Sequence, residues 1–81
     1  MTHAKTHPGE ILKEEFLWPF GISARALAEA LEVPATLIAD IVEERKPVTE
    51  DTALRLSEHF GNPAVFWLGL QADYDASPLT G

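Results

Sequence analysis

The side chains able to bind a metal or attack a substrate are few, and their spacing scatters them. His3 and His7 stand at i and i+4, the interval that brings two imidazoles to one face of a helix, but no carboxylate sits at a matching spacing to complete a metal site. Glu14 and Glu15 are sequence neighbours, as are Glu43 and Glu44, so on a helix their side chains diverge by about 100° and do not converge on a substrate. They belong to a solvated face. Ser23 and Ser57 have no His and Asp spaced to orient a base against the hydroxyl. His59 reads as a surface histidine near a helix C-terminus, where its cation suits the dipole. The glycines are dispersed and form no phosphate loop, and there is no cysteine for a disulfide, a thiolate metal site or a nucleophile. Neither an enzyme nor a cofactor or metal is expected.

Binding chemistry remains, and charge restricts it. The chain has 81 residues, with six Lys and Arg against 13 Asp and Glu, for a formal net charge of −7. A chain this short hides only roughly 60% of its unfolded surface on folding, which leaves a thin core and favours a partner subunit. Nucleic-acid binders usually carry a basic footprint, so any contact with DNA must come from a few cations placed locally. The acidic surface itself suits a basic partner. The opening MTHAKTHPGE has no apolar run, and no stretch approaches the ~18 apolar residues of a membrane span, so the default expectation is a cytoplasmic protein that avoids membranes.

The elements that must position these residues are all helical. Residues 1–7 are expected to be a flexible segment, 8–76 one domain, and 77–81 a flexible C-terminus. Ile11, Leu12 and Phe16 share a face in EILKEEFL, a helix stopped by Pro19 and Gly21. Ser23 caps a second helix whose Leu27, Ala28 and Leu31 point inward. Only Glu32 and Val33 separate Leu31 from Pro34, which opens a third helix over about 34–45 that buries Ile38, Ile41 and Val42. Pro47 turns the chain. Thr49 caps a fourth helix, with Glu50 and Asp51 in its first turn, Ala53, Leu56 and Phe60 inward, and Gly61 as its left-handed terminus. Asn62 and Pro63 start a fifth, over about 63–75. Period-two alternation is absent, so the fold class is all-α with five helices.

Two helices joined by so tight a corner suggest a helix-turn-helix, whose second helix lies in the major groove. A generic helical hairpin in a small bundle is the other reading. With Ile38 pointing inward, Thr36, Ala39, Asp40 and Glu43 fall on the opposite side, flanked near the helix start by Ala35 and Leu37. Thr36 can bond a base or touch a thymine methyl, Ala35 or Ala39 can pack on a methyl, and Asp40 can accept from a cytosine amino group. Phosphate contacts fall to Ser23 and Arg25 at the start of the preceding helix, and to Arg45 and Lys46 just past the recognition helix. Arg25 has a competing partner in Glu29, and Arg45 can instead cap carbonyls.

From His7 to Asp75 the chain resembles the HigA family of antitoxins, a branch of the XRE-type helix-turn-helix proteins. The resemblance is carried by HPGEIL at 7–12, GIS at 21–23, LA at 27–28, VP at 33–34, Ile38, Ile41, RKPVT at 45–49, DTALRL at 51–56 and FWLGLQADYD at 66–75. It implies a five-helix, lambda-repressor-like (XRE) helix-turn-helix domain. It also implies an antitoxin that silences a small basic RNA-cleaving toxin, HigB, and that represses its own operon by binding an operator palindrome as a dimer. Family members usually carry Arg at the position of Leu37 and a small residue, often Gly, at that of Glu44, and this chain departs from both.

Phe66, Trp67, Leu70 and Tyr74 form a broad apolar stripe on the fifth helix. Part of it is expected to pack on Leu54, Leu56 and Phe60, and part to pair with a second copy, because a homodimer reads two half-sites where one module reads too few bases. Two rival readings remain. One is a protein-interaction module that has lost DNA affinity, favoured by Leu37, Glu43 and Glu44; the other is a free-standing XRE repressor with no toxin.

Overall fold

Residues 6–76 are described by the computed structural model; the expected flexible stretches at 1–5 and 77–81, and His3 with them, lie outside the described residues. The elements run α1 (Pro8–Ile11), a π-helical continuation (Leu12–Leu17), α2 (Ala24–Leu31), α3 (Ala35–Val42), α4 (Glu50–Phe60) and α5 (Ala64–Ala76), with no strand among the described residues. None of these helices is long and apolar enough to cross a membrane.

Local chemistry accounts for most helix starts. Ser23 Oγ accepts from the Ala26 N–H at 3.0 Å, and Thr49 Oγ1 accepts from the Thr52 N–H at 3.3 Å, each satisfying an otherwise unpaired first-turn donor. α1 starts on a residue expected to fray. His7 is buried, and its Nδ1 accepts the Gly9 N–H at 2.8 Å. The ordered domain therefore includes His7, whose ring stacks edge-on against Tyr74 of α5 at 4.8 Å.

The first helix departs from regular spacing. Its second half widens to a π-helix, in which the Trp18 N–H reaches back five residues to the Lys13 carbonyl. The wider turn aligns Leu12 with Leu17, and both are buried, while Ile11 and Phe16 are only partly covered. Gly9 brings this helix onto α3, because a Cβ there would stand 1.8 Å from the Ile41 carbonyl oxygen. Only a residue without a side chain fits that contact.

α2 and α3 both end in a Schellman arrangement. Glu32 at φ 62° and Glu44 at φ 64° take the left-handed position normally given to glycine. Val33 donates to the Ala28 carbonyl, and Arg45 to that of Asp40, across these turns. α3 therefore ends at Val42, three residues short of expectation, and Arg45 and Lys46 ride on the following turn.

The core is Leu12, Leu17, Leu27, Ala28, Leu31, Ile38, Ile41, Val48, Ala53, Leu56 and Trp67. Leu54, expected beneath α5, is exposed. Trp67 was expected at a dimer face but has no accessible surface, and its Nε1 donates to Asn62 Oδ1 at 3.0 Å. Phe16, Phe60 and Phe66 pack around it. Removing such a side chain typically costs ~3–5 kcal/mol, a large share of a small domain's stability. Trp67 thus works as the keystone of the core and offers nothing to a second copy.

Candidate nucleic-acid interface

The corner between α2 and α3 sets the first turn of α3 outward. Pro34, Ala35 and Thr36 are exposed there, and no side chain caps the helix start. The first-turn amides and the positive end of the helix dipole therefore face solvent, with small side chains that let a groove wall approach. Further along, Ala39 and Asp40 are half-covered. Leu37 is also half-covered and packs against the core, so it sits less in the outer face than expected. That orientation follows from the helix itself, since position 37 lies four residues before the buried Ile41 and so shares its face.

The cations divide into two settings. Ser23 and Arg25 are exposed at the start of α2, and the Arg25 Nε lies 3.9 Å from Glu29, an exposed i, i+4 pair that leaves the guanidinium accessible. Beyond α3, the two remaining cations gather round Asp40. Arg45 Nη2 lies 3.2 Å from Asp40 Oδ1, Lys46 Nζ lies 3.8 Å from Oδ2, and Arg45 also pairs with Glu43 through Nη1. The hydrogen bond that Arg45 donates to Asp40, and then the charge of Glu43, raise the Arg45 pKa further, so it is a permanent cation. The carboxylates of Asp40 and Glu43 are thereby offset by Arg45 and Lys46.

The turn bearing these cations is tied down from two sides. Gln71 of α5 is buried, with Oε1 accepting from the Val48 N–H at 2.8 Å and Nε2 donating to Asp75 at 2.9 Å. His7 lines a cleft with Glu44, Arg45 and Lys46 on the other side, and its pKa is lowered by burial despite opposing pulls from Glu44 and Asp75. Sequence reasoning missed His7, Gln71 and Glu44. Each acts through a tertiary contact or a backbone angle, and the only available signal was the unusual acid at a position where the family favours glycine.

Ala35, Thr36, Ala39, Asp40, Arg45 and Lys46 thus lie on or directly after one helix, while Ser23 and Arg25 start the helix before it. On α5, Phe66 is exposed, Leu70 and Tyr74 are half-covered, and Trp67 is enclosed. Among the described residues no cluster of His, Asp and Glu could hold a metal ion.

Five helices with a tight corner, an open first turn on α3 and cations on either flank define an XRE-type helix-turn-helix protein. The chain is similar over 89% of its length to the Pseudomonas aeruginosa antitoxin HigA with the higBA promoter, at 47% identity and a TM-score of 0.88, and covers 78% of that chain. To the antitoxin GraA in complex with its operator it is 45% identical with a TM-score of 0.85, covering 93% of this chain and 76% of that one. It belongs to the HigA family of antitoxins. Virulence-associated protein I of Dichelobacter nodosus is 55% identical over 69 residues, 85% of this chain, and the chain spans 64% of that relative's length. No protein-family model matches the chain.

Proposed function

We propose that this chain is a cytoplasmic antitoxin that binds its own operator as a dimer and neutralises a small basic RNA-cleaving toxin of HigB type. The exposed, uncapped first turn of α3 carries the operator half of the proposal. Ala35 and Thr36 meet base edges, with Ala39 behind them, while Ser23, Arg25, Arg45 and Lys46 contact phosphates. Three features that would argue for a module without DNA affinity lose their force. Leu37 leans into the core, Glu43 is paired with Arg45, and Glu44 has left the helix.

For the second copy, the exposed face of α5 is a better candidate than the stripe containing Trp67. Val65, Phe66, Gly69 and Ala72 are all exposed, and the small residues permit close helix approach. Leu70 and Tyr74 contribute only their uncovered edges. In sedimentation, the wild-type chain should run as a dimer and Ala72→Glu as a monomer; a wild-type monomer at micromolar concentration would remove dimerisation from the proposal.

The toxin half is tested by mixing the chain with a small basic toxin of HigB type. Co-elution on a sizing column at low salt is the expected result, and separate peaks would remove this role.

A further inference from the structure

Two of the largest side chains on the molecule are spent on a turn. Trp18 is 66% exposed and Phe20 68%, although 11 hydrophobic residues are buried elsewhere among the described residues and a chain this short has few to spare. The turn that carries them is firmly built. The Trp18 N–H bonds the Lys13 carbonyl at 2.9 Å, Gly21 bonds Trp18 at 3.1 Å, and Ile22 bonds Leu17 at 2.9 Å. Gly21 supplies the φ of 66° that closes it. The two rings are therefore held outward in an ordered backbone, so a partner that covers them meets little ordering cost.

We propose that Trp18 and Phe20 form the anchor on which the basic toxin docks, with Glu14 and Glu15 as its acidic rim. The inference rests on the antitoxin reading above and names the surface that performs it. Glu14 and Glu15 are exposed four and three residues before Trp18, on the same π-helical stretch. An apolar anchor beside carboxylates fits a cationic protein surface, in which apolar contact gives affinity and the opposite charges speed encounter.

Charge also decides between occupants. A second copy docked here would bring its own Glu14 and Glu15 against the first pair, and DNA phosphates would meet the same carboxylates. Both contacts are repulsive. The Lys13 Nζ lies 5.3 Å from the centre of the Trp18 ring, so the chain itself supplies one cation to that ring, and the attraction for a basic partner falls to Glu14 and Glu15.

Calorimetric titration of the chain with a small basic toxin of HigB type tests the surface. The double variant Trp18→Ala/Phe20→Ala should keep the wild-type circular dichroism and melting temperature, because neither ring is in the core, and should bind the toxin about 100-fold more weakly. Glu14→Lys/Glu15→Lys should slow association and flatten its dependence on salt. Toxin affinity within about threefold of wild type in the double variant would overturn the docking surface while leaving the antitoxin reading intact. A wild-type chain that fails to bind the toxin at all would overturn both. Loss of dimer with unchanged toxin affinity would assign the patch to a second copy, and loss of operator binding with unchanged toxin affinity would assign it to DNA; either result overturns the proposal.

Discussion

Arg45 grips Asp40 across the end of the recognition helix, with Nη2 3.2 Å and Nε 3.3 Å from the same carboxylate oxygen. Two of the cations proposed to contact phosphate are therefore engaged by one acid, because Lys46 reaches the other oxygen. In the proposed operator complex, phosphate contact competes with that internal pairing.

Replacing Asp40 with Asn releases both cations and removes a negative charge next to the groove. Operator affinity should rise roughly three- to tenfold at low salt, with the gain shrinking as salt increases. Fluorescence anisotropy on promoter DNA measures this. A fall in affinity confined to particular base pairs would show instead that Asp40 reads a cytosine amino group.

Glu44 sits at φ 64°, where an L side chain is strained and glycine is not. Glu44→Gly should stabilise the fold by about 0.5–1 kcal/mol, after allowing for the greater freedom of glycine in the unfolded chain. For a domain of this size that is a rise of roughly 2–8 °C in Tm. An unchanged or lower Tm in thermal denaturation would mean that the carboxylate contributes more than the strain costs.

Gly9→Ala should act in the opposite direction. The new methyl would collide with the Ile41 backbone, and backbone cannot move aside as a flexible side chain can. A loss of about 1–3 kcal/mol is expected, with α1 displaced from α3. Urea denaturation reads it out, and a wild-type midpoint would contradict the close approach.

His7 makes the fold sensitive to mild acid. Burial holds its imidazole below the ordinary value of 6.5, so the unfolded chain takes up a proton that the folded chain resists. Stability is therefore complete above about pH 6.5 and falls as pH drops through the lower folded value. Protonation also removes the Nδ1 lone pair that accepts the Gly9 N–H. Melting temperature should decline between pH 7.5 and pH 5, and the decline should be smaller in His7→Asn, which keeps a capping acceptor. Identical slopes in the two proteins would rule out His7 as the source.

Where structure follows from neighbouring residues, it was legible in the sequence. Ser23, Pro34, Thr49 and Gly61 each punctuate the chain by a capping bond, a missing donor or a positive φ, and the boundaries they imply hold to within a residue. The inward residues of α2 and α4 follow equally well from helical period. The π-helical widening after Ile11 did not, because LKEEFL reads as ordinary α-helix and only the burial of both Leu12 and Leu17 selects the longer turn. α5 was harder still. It is apolar around its circumference, so periodicity could not tell the enclosed Trp67 from the exposed Val65. The exposed placement of Ala35, Thr36, Arg25, Arg45 and Lys46 followed from helical period and chain position, but the Asp40 pairing did not, because it needs the chain to turn back at Glu44.

Entry of the open first turn of α3 into double-stranded DNA is read out by titrating the chain's own promoter with wild type and Ala35→Glu, each checked for an unchanged melting temperature. The wild type should bind with an affinity that falls linearly on logarithmic axes as salt rises, and Ala35→Glu should lose about 100-fold or more because its carboxylate meets the groove. Equal binding by the two proteins would contradict the account and place any DNA contact elsewhere on the molecule.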